Sequence, residues 1–180
     1  QMNGIIPNPW HPVKVEIVKV DVENIEKHGA EPYLSGVQGI LVPGGFGDRG
    51  TQGKIAACKY ARENKIPYFG ICLGMQIAVI EFARNVCGWE DANSTEFDKD
   101  TLHPVVSLLE EQQKVTQKGG SMRLGAWVSD VVAGTMAYEL YHSATITERH
   151  RHRYEFNSDY KEMMEEKGLL ISGSSPRGDL

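Results

Sequence analysis

An α/β domain with a mostly parallel sheet and helices on both faces is what this sequence predicts. Short apolar runs at residues 39–42 and 66–71 each end in a glycine turn and are each followed by a stretch rich in helix formers. Strands that alternate with helices in this way build parallel sheets, because the crossover helix must return over one face of the sheet. Composition agrees. The chain has 180 residues, 41% of them apolar and 24% charged, enough apolar side chain to bury a core and too much for a disordered segment.

From the N-terminus, residues 1–12 hold Pro7, Pro9 and Pro12 without periodicity and read as an irregular leader; residues 13–180 read as the domain proper. Val13, Val15 and Ile17 alternate with Lys14 and Glu16, the period of two expected of a strand. A helix follows over residues 22–28, and residues 54–64 form a second. After the apolar run at 66–71 comes the strongest helix. Here Met75, Ala78, Val79, Phe82, Ala83 and Val86 share one face at helical spacing. Residues 91–120 read mostly as loop, with a short strand at 105–109. Ser158 or Asp159 is placed to cap a helix ending at Lys167, with Gly168 as its stop. Residues 169–172 predict another strand, and residues 176–179 a turn.

Several function classes are excluded early. Nineteen Lys and Arg against 24 Asp and Glu leave a net charge of −5, so a cationic nucleic-acid surface is not expected. No apolar stretch approaches the ~18–20 residues of a membrane span, and no signal-peptide core opens the chain. Three cysteines, Cys58, Cys72 and Cys87, are odd in number and lie in apolar or helical context, unlike a disulfide framework. The reading is a cytoplasmic protein.

The chemistry concentrates in Phe69-Gly70-Ile71-Cys72-Leu73-Gly74-Met75-Gln76. A cysteine between a buried strand and a helix, with glycines two residues before and two after, has the pattern of a nucleophile elbow. The glycines let neighbouring backbone pass close by, and the apex side chain projects beyond the strand ends, where α/β sheets bind ligands. A helix N-terminus also favours thiolate. A buried apolar cysteine is the plainer reading; the paired glycines and the strand-to-helix switch favour the nucleophile.

Pro43-Gly44-Gly45-Phe46-Gly47-Asp48-Arg49-Gly50 follows the preceding strand to the same sheet edge. Its amides are placed to stabilise an oxyanion formed by attack of Cys72. A phosphate loop is the rival, but the lysine and Ser/Thr of a P-loop are missing; a purely structural turn is the third reading. Cys58 and Cys87 lack glycine neighbours and partners at metal-ligand spacing, so no metal site is expected. The run Glu148-Arg149-His150-Arg151-His152-Arg153-Tyr154-Glu155 places its arginines on one side of a strand and its histidines on the other. It admits a solvated edge, a weak nucleic-acid patch or a carboxylate clamp. Residue type alone does not choose among them.

These motifs together resemble the class I glutamine amidotransferases, whose core is flavodoxin-like. The Gly-Ile-Cys-Leu-Gly-Met-Gln elbow is shared by many members. Four further segments, residues 43–50, 91–97 (Asp-Ala-Asn-Ser-Thr-Glu-Phe), 120–125 (Gly-Ser-Met-Arg-Leu-Gly) and 148–155, are similar to the branch whose ammonia aminates UTP to CTP. The similarity runs from about Val13 to Leu180. It implies that Cys72 attacks the side-chain amide of L-glutamine, forming a glutamyl thioester and releasing ammonia. Gly45 and the Leu73 amide would bind the oxyanion. Gly45, Leu73, Gly74, Met75, Gln76, Glu96 and Arg153 would hold glutamine, with Glu96 on its ammonium and Arg153 on its carboxylate. In the branch the ammonia passes to a separate amidoligase (synthase) domain that uses ATP and Mg2+, and GTP activates the glutaminase. Nothing on this chain resembles that domain, so no cofactor is expected here.

Two departures qualify the resemblance. The family completes its triad with a His-Pro-Glu segment that would follow Leu180, and no His-x-Glu occurs in these 180 residues. The family's opening strand and helix are likewise replaced by residues 1–12. The expectation is an amidotransferase part that is weakly active or inactive alone, with exposed sheet edges. The rivals are an inactive binding module and an amidotransferase of another pathway, such as GMP or anthranilate synthesis. Residues 91–97 and 148–155 argue against the second.

Overall fold

In the computed structural model, residues 5–6, 13–108 and 122–176 are described. The elements run β1 (Ile5–Ile6), β2 (Val13–Lys14), α1 (Val22–His28), α2 (Glu31–Leu34), β3 (Ile40–Val42), α3 (Thr51–Glu63), β4 (Tyr68–Gly70) and α4 (Leu73–Asn85). They continue as β5 (Asn93–Ser94), β6 (Pro104–Ser107), β7 (Arg123–Val131), α5 (Met136–Tyr141), β8 (Thr145–His152), β9 (Glu155–Phe156), α6 (Lys161–Glu166) and β10 (Gly173–Ser174).

The predicted parallel unit is present: β3 and β4 pair in parallel with Leu41 opposite Phe69, and α3 and α4 follow their strands. The two helices pack on each other and on the same side of the pair, so Val42 is buried while Leu41 and Phe69 remain 60% and 63% exposed. Among the described residues, helices therefore cover one face of β3–β4. A second parallel pairing, β5 with β6, is extended by antiparallel β9. An antiparallel sheet, β10-β7-β8, forms a long ribbon beside it.

The helix α4 is buried on more sides than its amphipathic pattern indicates. Ile77, Ile80 and Ala83 are fully buried, Val79 nearly so, whereas Met75 is 38% exposed. The helix touches α3, β3, β4, β6 and β9 at once, and a helix enclosed in this way is apolar nearly all round. Its one buried charge, Glu81, is held by Arg62 of α3 through three N–H···O contacts of 2.8–3.1 Å.

Local signals vary in how far they carry. Asp21 caps α1 by accepting from the Glu23 amide, and Gly29 ends it at φ 83°. The strand expected over 13–17 pairs only at Val13–Lys14, against Ile5–Ile6, and Ile17 stays 58% exposed. The helix near residue 160 is capped one residue earlier than expected, by Asn157, and begins as a 3-10 turn at Ser158–Tyr160 before α6. Gly168 ends it at φ 99° as predicted. The strand expected at 169–172 lies at Gly173–Ser174 instead, where β7 supplies its partner. The short strand expected at 105–109 is β6, Pro104–Ser107; Leu109 and Gly120 lie outside the described residues, as do the leader prolines and Arg177–Asp179 of the final turn.

Candidate active site

Cys72 occupies the position between β4 and α4 with φ 54° and ψ −106°. A side chain with a β-carbon reaches this region at a cost of about 1–3 kcal/mol, so the surrounding packing must hold it there. It does so through glycines. A β-carbon on Gly74 would come 2.1 Å from the Val42 carbonyl oxygen, and one on Gly70 would come 2.3 Å from the Gly74 carbonyl carbon. Strand, elbow and helix thus meet backbone to backbone, and the Tyr68 hydroxyl donates to the Gly74 carbonyl at 2.8 Å.

The glycine turn after β3 lies against the elbow. A β-carbon on Gly44 would sit 3.3 Å from that of Cys72, and one on Gly45 would sit 3.3 Å from Leu73 Cδ2. The Gly47 amide donates to Glu96 Oε1 at 3.0 Å, which brings the predicted acidic residue to the same rim. From the other side come the end of β8 and the turn after it. The Cys72 thiol points at the Arg151 carbonyl, Sγ to oxygen 3.6 Å, and Gln76 Nε2 donates to the Tyr154 carbonyl at 3.2 Å.

The electrostatics of Cys72 are mixed. Burial is the largest influence and pushes the thiol above its ordinary value; the Leu73 and Gly45 amides pull it down, and the Glu96 and Glu155 carboxylates push it up. The helix N-terminus pulls the thiol towards thiolate through the Leu73 amide, as its position in the sequence suggests, but burial outweighs the amides in the resting site. Tyr154 is raised as well, by burial and by Glu96, while Arg153 lowers it. Cys72, Glu96, Tyr154 and Arg153 therefore share one electrostatic neighbourhood.

Of the sequence-predicted residues, the structure brings together Gly45, Cys72, Leu73, Gly74, Gln76, Glu96 and the turn that carries Arg153. Leu73 and Gln76 are 2% and 3% exposed, so Leu73 presents its amide rather than its side chain; Gln76 commits its Nε2 to Tyr154, while its buried Oε1 has no hydrogen-bond partner among the described residues. Met75 stands apart, on the wall of a cavity of about 620 Å³ between α4 and the ribbon. Arg149 and Arg151 are exposed on β8, while His150 and His152 turn inward; Arg153 lies beyond the strand and is half-buried.

Sequence reasoning missed the polar cluster beneath this turn. Glu155 is buried, its Oε1 3.5 Å from Arg123 Nε and 3.3 Å from His152 Nδ1. His150 Nδ1 lies 2.9 Å from His152 Nε2. The one available signal was an acidic residue, Glu155, flanked by Tyr154 and Phe156 on a strand where a carboxylate needs a partner.

The family described as glutamine amidotransferase class-I matches residues 11–179. A CTP synthase from Caldanaerobacter subterraneus subsp. tengcongensis is 58% identical over 167 residues, 93% of this chain and 31% of that protein. A CTP synthase from Methanocaldococcus jannaschii is 57% identical over 173 residues, 93% and 32% respectively. Among solved structures, the glutaminase domain of Trypanosoma brucei CTPS with bound acivicin superposes with a TM-score of 0.82 at 47% identity, covering 89% of this chain and 62% of that one. The chain spans about a third of the length of the curated relatives it matches.

Proposed function

Because the chain belongs to the class I glutamine amidotransferase family, we propose that it is the glutaminase part of a CTP synthase and releases ammonia from L-glutamine through Cys72. The observation that carries this reading is the elbow. It combines a strained cysteine at φ 54° with the Leu73 and Gly45 amides, both acting to stabilise negative charge on its sulfur.

In this reading the Cys72 sulfur attacks the side-chain carbonyl carbon of glutamine. The carbonyl oxygen becomes an oxyanion within reach of the Gly45 and Leu73 N–H groups, where preorganised donors lower the barrier. The C–N bond then breaks, ammonia leaves with a proton, and water hydrolyses the thioester to glutamate. Glu96 receives the substrate ammonium and Arg153 its carboxylate, a charge-assisted pair that also sets register. The Gly74 backbone closes the elbow beneath the approach, Met75 stands outside it on the separate cavity wall, and Gln76 serves the pocket through the Tyr154 carbonyl. Ammonia is consumed by an amidoligase domain outside this chain that uses ATP and Mg2+ to aminate UTP, with GTP as activator.

At rest the thiol keeps its proton and donates it towards the Arg151 carbonyl. Attack therefore requires a base, and no His-x-Glu triplet is present among the 180 residues. The proposed consequence is slow turnover by these residues alone from a formed pocket. The test is a glutamine-like diazoketone followed by intact mass, with Cys72→Ala as control. One adduct that glutamine blocks and that Cys72→Ala lacks is expected. A chain that takes no adduct, or takes it equally without Cys72, overturns the reading.

A further inference from the structure

The cluster beneath the connection from β8 to β9 has a definite proton arrangement. His152 Nδ1 lies 3.3 Å from the Tyr154 carbonyl, which can only accept, so this nitrogen carries the hydrogen; Glu155 Oε1, 3.3 Å away, places a carboxylate on the same side of the ring. In a neutral imidazole the other nitrogen then accepts. The 2.9 Å contact therefore requires His150 Nδ1–H to donate to His152 Nε2. Burial, then the neighbouring His150, push His152 down to about 4, which keeps the ring neutral at physiological pH as this chain of donors demands. Arg123 closes the other end, its Nε 3.5 Å from Glu155 Oε1 and its guanidinium 4.3 Å above the Trp127 ring.

The chain of contacts ends on the candidate site. The Tyr154 carbonyl that receives His152 also receives Gln76, one turn into the nucleophile's helix, and the Arg151 carbonyl meets Cys72 itself. Arg153 lies between these two anchored carbonyls. We propose that His152, relayed by His150 and seated on Glu155 and Arg123, is a positioning residue for substrate binding: it fixes the turn that presents Arg153 to glutamine. The inference rests on the glutaminase reading above. His152 touches neither the nucleophile nor substrate, so its effect falls on binding rather than on the reactivity of the thiol.

The test compares His152→Asn with His152→Gln and His152→Ala in the 180-residue chain. Asparagine places an N–H near the position of Nδ1 and can still donate to the Tyr154 carbonyl; glutamine reaches the Nε2 position and cannot. Concentration dependence of diazoketone labelling separates half-saturation from the maximal rate. Iodoacetamide, which has no amino-acid group to recognise, reports thiol reactivity alone. Thermal melts report whether each variant is folded.

In His152→Gln and His152→Ala the half-saturating concentration should rise about tenfold, the effect of misplacing one charge-assisted contact. The iodoacetamide rate should change less than about twofold, and His152→Asn should recover most of the loss, because the transmitted effect is one donor. Unshifted half-saturation in the alanine variant overturns the positioning role, as does an asparagine variant no better than alanine at equal melting temperature. Wild type without a glutamine-protected adduct overturns the glutaminase reading, and the proposal with it.

Discussion

Cys72 and Arg153 come from regions held together in different ways. Cys72 begins a helix whose Ile77, Ile80 and Ala83 are fully buried, and which contacts the β3–β4 pair directly. Arg153 follows a ribbon in which Leu124 and Val128 are 56% and 45% exposed, and the α5 segment between its strands leaves Met136 and Leu140 at 76% and 74%. Cys72 is thus fixed by apolar packing, at about 1.5–3 kcal/mol per buried large side chain. Arg153 is placed mainly by polar contacts around its turn: two backbone carbonyls, a histidine pair and the Arg123–Glu155 ion pair. Damage to the first region should therefore appear as lost stability, and damage to the second as lost affinity in a folded chain.

The largest effect belongs to the elbow. Gly74→Ala drives a β-carbon to 2.1 Å from the Val42 carbonyl oxygen, with backbone on both sides unable to yield cheaply. A loss of about 4 kcal/mol or more is expected in urea unfolding, at the exceptional end for single substitutions. A loss below about 1 kcal/mol would mean that strand and helix are not pinned at this point, and the comparison would fail at its root.

Next comes Arg62→Ala. It leaves Glu81, whose side chain is 2% exposed, as a buried charge without its guanidinium. About 3–5 kcal/mol of destabilisation is expected, whereas the double change Arg62→Met with Glu81→Leu should recover most of it. Equal instability in single and double variants would show that α3 and α4 are held by something other than this pair.

How much of this was legible beforehand follows the same division. The elbow could be read because close backbone approach demands glycine, and Gly70 and Gly74 announce it at fixed spacing. The parallel pair could be read because short apolar runs precede glycine turns. The ribbon was only half legible: the alternation of arginines and histidines on a strand holds in β8, but β7 and its pairing with β8 were not foreseen. Arg123 pairs with His152 across 29 residues, and Leu124, Trp127 and Val128 break the alternation that would mark one buried face. The depth of α4 was misjudged for a related reason, since neighbours on several sides bury Ile77 and Ile80, which the single stripe through Met75 omits. The histidine pair could not be assigned either. Its meaning depends on Glu155 and Tyr154 being folded under it, a fact of geometry rather than of residue type.

For the ribbon, the discriminating pair is Arg153→Ala against Arg149→Ala. Arg149 is exposed on β8, while Arg153 is half-buried in the turn and shares its surroundings with Glu96 and Tyr154. Calorimetric titration with glutamine should show roughly 10–100-fold weaker binding for Arg153→Ala and under about threefold for Arg149→Ala, with both chains melting as wild type does. Equal losses would assign the affinity to general positive charge and remove the clamp.

The smallest effect is the most diagnostic of how the two regions meet. Glu96 bonds the Gly47 amide and pushes the Cys72 thiol upward, after the larger influences of burial and the Leu73 and Gly45 amides. Glu96→Gln keeps an acceptor for Gly47 and removes the charge, so the turn stays in place while the thiol falls towards its ordinary value. At pH 8, below the thiol's pKa, the thiolate fraction grows as that pKa falls, and iodoacetamide labelling should accelerate by about two- to threefold. On the proposed glutaminase reading the same substitution removes the partner of the substrate ammonium, so glutamine should protect the thiol less well. One change then moves intrinsic reactivity up and substrate recognition down. A charge that served the thiol alone would leave protection intact, and one that served the substrate alone would leave the labelling rate unmoved; opposite movements require Glu96 to face both.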